Sequence, residues 1–256
     1  MARIIRSHSF GWVPDVPDQR DRLYAAPVHR GPLPVKVTLR SKCPRVVDQG
    51  QLGSCTANAI AAAVQFDRKK QKLKPYFAPS RLFIYYNERA MEGTIDSDSG
   101  AMIRDGIKSV GTFGDCPEHD WPYVIAKFTE KPPASCYKTA LKYKVLQYER
   151  VARSLAQFKG CLASGFPFVF GFSVYESFET DEVARTGVAP MPAHGETLLG
   201  GHAVMAVGYD DTSQRMLVRN SWGTGWGQKG YFTLPYLYFT DPNLSDDFWT
   251  VRLVAA

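Results

Sequence analysis

The hydrophobic positions divide the chain into three zones. Residues 1–34 show no periodic apolar order, and Pro14, Pro17, Pro27, Pro32 and Pro34 interrupt them. Proline fixes φ and removes an amide donor, so this zone is predicted to be an extended arm preceding a folded unit of residues 35–256. From Cys55 onward, Ala59, Ile60, Ala63 and Val64 recur at helical spacing behind Ser54, a candidate cap. Pro79-Ser80 opens a second predicted helix over 80–91, and a third is predicted over 101–110, stopping at Gly111. The C-terminal half then changes to short apolar runs, predicted as strands over 168–174, 203–209, 216–220 and 248–254. Helices first and strands later predict an α+β fold. Its helical N-terminal lobe would face an antiparallel β-sheet C-terminal lobe across a cleft, the expected place for a substrate.

Composition narrows the function. The 256 residues are 45% hydrophobic and 13% aromatic, enough for a substantial core. No run of 18 apolar residues occurs, so no membrane span is predicted. The N-terminus is basic but lacks the apolar region of a secretory signal. A cytoplasmic location is the default expectation, with export by another route left open. The net charge is +6, but the basic residues are spread along the chain and form no nucleic-acid-binding motif. A mildly basic surface is the simpler account, and a monomer without nucleic-acid partners is expected. The five cysteines form no C-x-x-C pair, so no metal or cofactor is expected. Cys116 and Cys136 would pair in an oxidising compartment and stay free thiols in a reducing one.

The candidate chemistry begins at Gln49-Gly50-Gln51-Leu52-Gly53-Ser54-Cys55. A cysteine attacks as its thiolate, which a helix N-terminus favours. Alone, Cys55 reads more simply as a small buried residue at a helix start. His202 enters one apolar run and Asn220 closes the next, with Asp210-Asp211-Thr212-Ser213 between them. A hairpin turn centred on Asp211 would put His202 directly opposite Asn220. A hydrogen bond there would orient the imidazole and leave its other nitrogen for a thiol. Taken singly, each is also an ordinary core histidine or strand-end asparagine. His194 and His119 are the reserve bases.

These segments resemble the papain-like cysteine peptidases. The likeness rests on a glutamine and a Gly-Ser-Cys that closes six residues after it, on His202-Ala203-Val204 with Ala206-Val207-Gly208-Tyr209, and on Asn220-Ser221-Trp222-Gly223-Thr224-Gly225-Trp226-Gly227. The resemblance implies the two-lobe fold and a cysteine endopeptidase acting on peptides or proteins through a thioester. It implies Cys55 as nucleophile, His202 as general base and acid, Asn220 as orienter and Gln49 with the Cys55 N–H as oxyanion donors. Trp222 would cover the His202–Asn220 bond. A substrate pocket would be lined by Gly100, Ala101, Met102, Gly171 and Ala203, with Asp246 or Asp247 near its floor. Leu52 and Asp98 or Ser99 stand where family members often carry half-cystines, a departure that resembles the short bacterial members. A thiol-dependent transferase or isopeptidase and a non-enzymatic binding homologue share the same fold. The arm is too short for a helical pro-domain. It is expected to lie across the cleft as a restraining strap, the alternative being a leader packed elsewhere.

Overall fold

The computed structural model describes residues 9–27 and 31–255, so residues 1–8 and 28–30 of the predicted arm lie outside the described residues. Along the chain come β1 (Trp12–Val13), β2 (Leu23–Tyr24), β3 (Lys36–Thr38), α1 (Cys55–Lys70), α2 (Arg81–Glu92), β4 (Ala101–Met102) and α3 (Ile103–Thr112). Then follow α4 (Ala134–Ala140), β5 (Val145–Val151), α5 (Leu155–Ala163), β6 (Phe168–Tyr175), α6 (Asp181–Thr186), β7 (Leu198–Asp210), β8 (Arg215–Arg219), β9 (Tyr231–Pro235), α7 (Tyr236–Thr240) and β10 (Ser245–Val254). Helices α1 to α3 form one lobe. The other is a largely antiparallel sheet in the order β2-β5-β10-β6-β7-β8-β9, with β3 on β7.

Helix α1 joins the lobes. It is buried on nearly every side, and its run of alanines lets it sit between α2 and α3 on one flank and β7 and β10 on the other. A helix apolar all round belongs in a core, not on a surface. Ser80 caps α2 as its composition predicts, accepting from the Phe83 amide. The third helix departs from expectation. Residues 101–102 are extended because they pair with the arm, the helix begins at Ile103, and it runs through Gly111 to Thr112. Beneath the sheet, Phe158, Phe168, Phe170, Phe239 and Phe248 pack with ring centroids 4.5–6.3 Å apart.

The β7–β8 hairpin corrects the predicted register. Its turn spans four residues ending at Gln214, which adopts φ +54°. The turn therefore centres beyond Asp211, and Asp210 faces Arg215. A bulge between Ala206 and Gly208 shifts the ladder again, so Met205 faces Arg219. His202 is thus not directly opposite Asn220. The turn offset and the bulge together leave an even displacement, which returns both side chains to one face as diagonal neighbours.

The arm is two pieces. Residues 9–15 run along the cleft, where β1 pairs in parallel with β4. Farther on, β2 pairs with β5 at the edge of the main sheet, and Tyr24 is buried there.

Candidate active site

Cys55 is the first residue of α1 and is completely buried. Ser54 does not cap this helix with its side chain. Its hydroxyl instead meets the Tyr123 hydroxyl at 2.5 Å and accepts from Asn58 Nδ2 at 3.0 Å. The backbone amides of Ala203, Gly11 and Thr56 act on the Cys55 thiol in the sense that favours its thiolate. Ala203 follows His202 directly, and both lie on β7, the strand against which α1 packs.

His202 Nε2 lies 2.8 Å from Asn220 Oδ1. The Ser221 amide also donates to that oxygen at 2.8 Å, which fixes the orientation of the asparagine amide. An oxygen only accepts, so Nε2 must carry the hydrogen and Nδ1 is the basic nitrogen of the neutral ring. Trp222 stacks on the imidazole with centroids 4.7 Å apart and planes 25° apart. It is buried and shields this edge of the ring from water. The two reserve histidines are elsewhere in character: His119 pairs with Asp120 at 3.2 Å on the surface, and His194 lies in an exposed loop.

Gln49 is fixed at both ends of its amide. Its Oε1 accepts from Ser221 Oγ at 2.7 Å, which turns Nε2 to the Leu52 carbonyl at 2.9 Å and the Ser9 carbonyl at 3.0 Å. Tyr123 braces the same segment by donating to the Gln49 carbonyl at 2.9 Å. The Arg81 guanidinium lies 3.9 Å over the Tyr123 ring and donates to the Asp48 carbonyl, Asn58 and Glu118. Sequence reasoning singled out neither Tyr123 nor Arg81.

The predicted pocket residues meet along the arm. The Gly11 carbonyl accepts from the Ala101 amide at 2.8 Å, and a Cβ on Gly100 would strike Gly11. Val13 pairs with Met102. Gly171 lies opposite Ala203 in the β6–β7 ladder. The Trp12 indole packs on Gly171 and Gly201 so closely that neither could carry a Cβ without collision. Its Nε1 donates to Asp247 Oδ2 at 3.0 Å. Gly201 was missed as a lining residue because only its neighbours matched a motif.

Burial pushes the Cys55 thiol up to about 12, with the Glu88 carboxyl adding to the rise and the three backbone donors opposing it. In this arrangement the sulfur is a sealed thiol. Cys116 and Cys136 are buried free thiols, and the Cys136 thiol donates to the Asp120 carbonyl at 3.6 Å. Among the described residues no His, Cys, Asp and Glu cluster could hold a metal, and no helix is long and apolar enough to cross a membrane.

Residues 33–237 match the family described as papain family cysteine protease. An uncharacterised peptidase C1-like protein of Acanthamoeba polyphaga mimivirus is 49% identical over 216 residues, covering 81% of this chain and 70% of the viral protein. A cathepsin B-like protein of Giardia intestinalis is 30% identical over 75% of this chain and 64% of its own length. Among solved structures, xylellain, a cysteine protease from Xylella fastidiosa, is similar with a TM-score of 0.90 and 46% identity over 98% of both chains. A procathepsin L of Tenebrio molitor shares the fold, with a TM-score of 0.71 at 17% identity.

Proposed function

This chain belongs to the papain family of cysteine proteases, and from that premise we propose that it is an endopeptidase with Cys55 as nucleophile, His202 as base and acid, and Asn220 as orienter, restrained by its own arm. The observation that carries the reading is the bond from His202 Nε2 to Asn220 Oδ1 beside the buried start of α1. With Nε2 held, Nδ1 takes the Cys55 proton. The thiolate adds to a peptide carbonyl carbon, and the oxyanion receives the Gln49 Nε2 and Cys55 backbone N–H groups. The Nδ1 proton passes to the leaving amine as the C–N bond breaks. Water, deprotonated by Nδ1, then cleaves the thioester and restores the thiol.

The arm holds the cleft in a form that cannot turn over. Gly11 of the arm is among the backbone groups that act on the Cys55 thiol, and its carbonyl is turned to the Ala101 amide at 2.8 Å. Ser9 occupies the Gln49 amide with its carbonyl. Phe10 lies against His202 and Trp222 with centroids 6.3 Å away from each. Trp12 fills the site we propose for an apolar substrate side chain, with the Asp247 carboxyl at its inner end. Tethering makes this contact intramolecular, so a weak segment suffices to keep the cleft occupied.

Two measurements test the proposal. An epoxide thiol inhibitor should add its mass to Cys55 and abolish peptide cleavage; labelling at another cysteine with loss of activity would sink the assignment. Deleting residues 1–17 should raise kcat/KM and speed labelling of Cys55. The cut spares β2, since removing all of residues 1–34 would also strip a paired edge strand and the buried Tyr24. Unchanged kinetics in a folded 1–17 deletion would refute the restraint.

A further inference from the structure

We infer that Asp98 selects a cationic side chain on the substrate residue whose carbonyl is attacked, an inference that rests on Cys55 being the nucleophile. Asp98 sits in the loop after α2, and both of its carboxylate oxygens accept from the Gly53 amide at 3.0 Å. Gly53 lies two residues before Cys55 and forms the wall of the cleft there. Asp98 Oδ1 and the Phe10 carbonyl of the arm converge on one point above the Gly53 Cα, 3.0 and 3.4 Å from where a Cβ would stand. A peptide lying in the cleft therefore passes this carboxylate at the level of the nucleophile. Gly11, the arm residue over Cys55, has no side chain and leaves that contact unused.

The carboxylate is held in place and stays exposed. The Tyr85 hydroxyl donates to Oδ1, and the same hydroxyl accepts from the Gly100 amide at 3.2 Å. Asp98 is thus fixed between the two backbone edges, Gly53 and Gly100, that flank a bound chain. Among the described residues no lysine, arginine or histidine forms an ion pair with it, although the carboxylates of Asp18, Asp21, Asp210, Asp211 and Glu118 all have such partners. A fixed negative charge on the wall, with capacity left on Oδ2, favours an ammonium or guanidinium on the residue it faces and disfavours a carboxylate. Neighbouring Asp96 has the same sign and strengthens the field.

The test compares matched peptide amides that differ only at the residue before the scissile bond, carrying Lys, Gln or Glu there, with the full chain. Ratios of kcat/KM within one protein cancel the arm's restraint. Lys should exceed Gln by about fivefold at low salt, the scale of a partly exposed ion pair, and Glu should be the poorest. The Lys advantage should shrink as ionic strength rises. Asp98→Asn keeps an acceptor for Gly53 and Tyr85 and should bring the three peptides within about twofold of one another while Gln cleavage persists. Equal cleavage of Lys and Gln by the unaltered chain, or an unchanged ratio in D98N, would overturn the inference and leave the protease assignment standing. Failure to cleave any of the three, by the full chain and by the 1–17 deletion alike, would instead overturn the underlying reading.

Discussion

Trp12 and Asp247, 235 residues apart in sequence, are joined by one hydrogen bond from the indole Nε1 to carboxylate Oδ2 at 3.0 Å. The same oxygen accepts from the Asp15 amide at 2.8 Å. The Asp15 carboxylate in turn accepts from the Arg104 amide at 3.0 Å and from Trp249 Nε1 at 2.9 Å. Arg150 reaches Asp15, Asp21, Asp246 and Asp247 from β5, and Arg104 binds Asp21 from α3. The arm is therefore seated by a buried acidic pair inside a ring of arginines.

That seat predicts a pH dependence. Burial pushes Asp247 up to about 7, and the facing Asp15 carboxyl adds to the rise. Burial also raises Asp15, against the pull of Arg104, Trp249 and Arg150. Release returns Asp15 to water and to a value of about 4. The seated arm thus binds more protons than the free arm. Seating is strongest below the free carboxyl value and weakens as pH rises through about 7. The activity of the full chain divided by that of the 1–17 deletion should climb between about pH 5 and pH 8. A flat ratio would show that the carboxyl pair does not govern release.

Gly11 offers a sharper probe. A Cβ there would run into the Gly53 carbonyl group. Gly11→Val should unseat the arm while leaving every residue of the cleft intact. Activity and Cys55 alkylation should both rise to the level of the 1–17 deletion, and an activity equal to that of the unaltered chain would contradict the restraint.

Substitutions at the proposed centre should form a graded series. Cys55→Ala should abolish cleavage and leave Tm nearly unchanged, because it removes only one sulfur. His202→Ala should be nearly as severe. Asn220→Ala should be the mildest, since it loosens the ring but keeps the base; a loss of about 10²-fold is the expected scale. An Asn220 variant as dead as the Cys55 variant would mean that the asparagine does more than orient.

Tyr123 braces the Gln49 backbone through one hydroxyl, shared between the Gln49 carbonyl and Ser54. Tyr123→Phe should lower kcat about tenfold with KM nearly constant, because the donors it positions act on the transition state. In a Gln49→Ala background the same change should cost less. Equal losses in both backgrounds would show that Tyr123 does not act through Gln49.

Much of this was legible in the sequence, for physical reasons. The fold class followed from helical spacing after Cys55 and from compact apolar runs after residue 165, and both belong to long, strongly patterned elements. Cys55, His202, Asn220 and Gln49 stood out because their neighbours are small, glycine-rich or aromatic in an order that ordinary cores do not require. Strand β5 escaped because only its end residues, Val145 and Val151, are buried, and β9 because its five residues follow a loop that reads as all turn. The hairpin register failed because a left-handed Gln214 and a bulge at Val207 have no mark in composition. Asp98 and Tyr123 were opaque for another reason. Their importance lies in backbone groups of distant segments, and the side chain alone does not announce such partners.

The position of β10 has a consequence for the order of synthesis. This strand lies in the middle of the sheet, between β5 and β6, and it brings Asp247 and Trp249 to the arm. It is also translated after every other strand. Cys55 and the arm emerge from the ribosome long before the sheet that supports His202 can close around its missing centre. The seat for the arm arrives on the same ten residues that complete the sheet. If the arm restrains the cleft as proposed, the strand that completes the sheet is also the strand that supplies the arm's seat, so the nascent chain would need no separate element to cover its cleft.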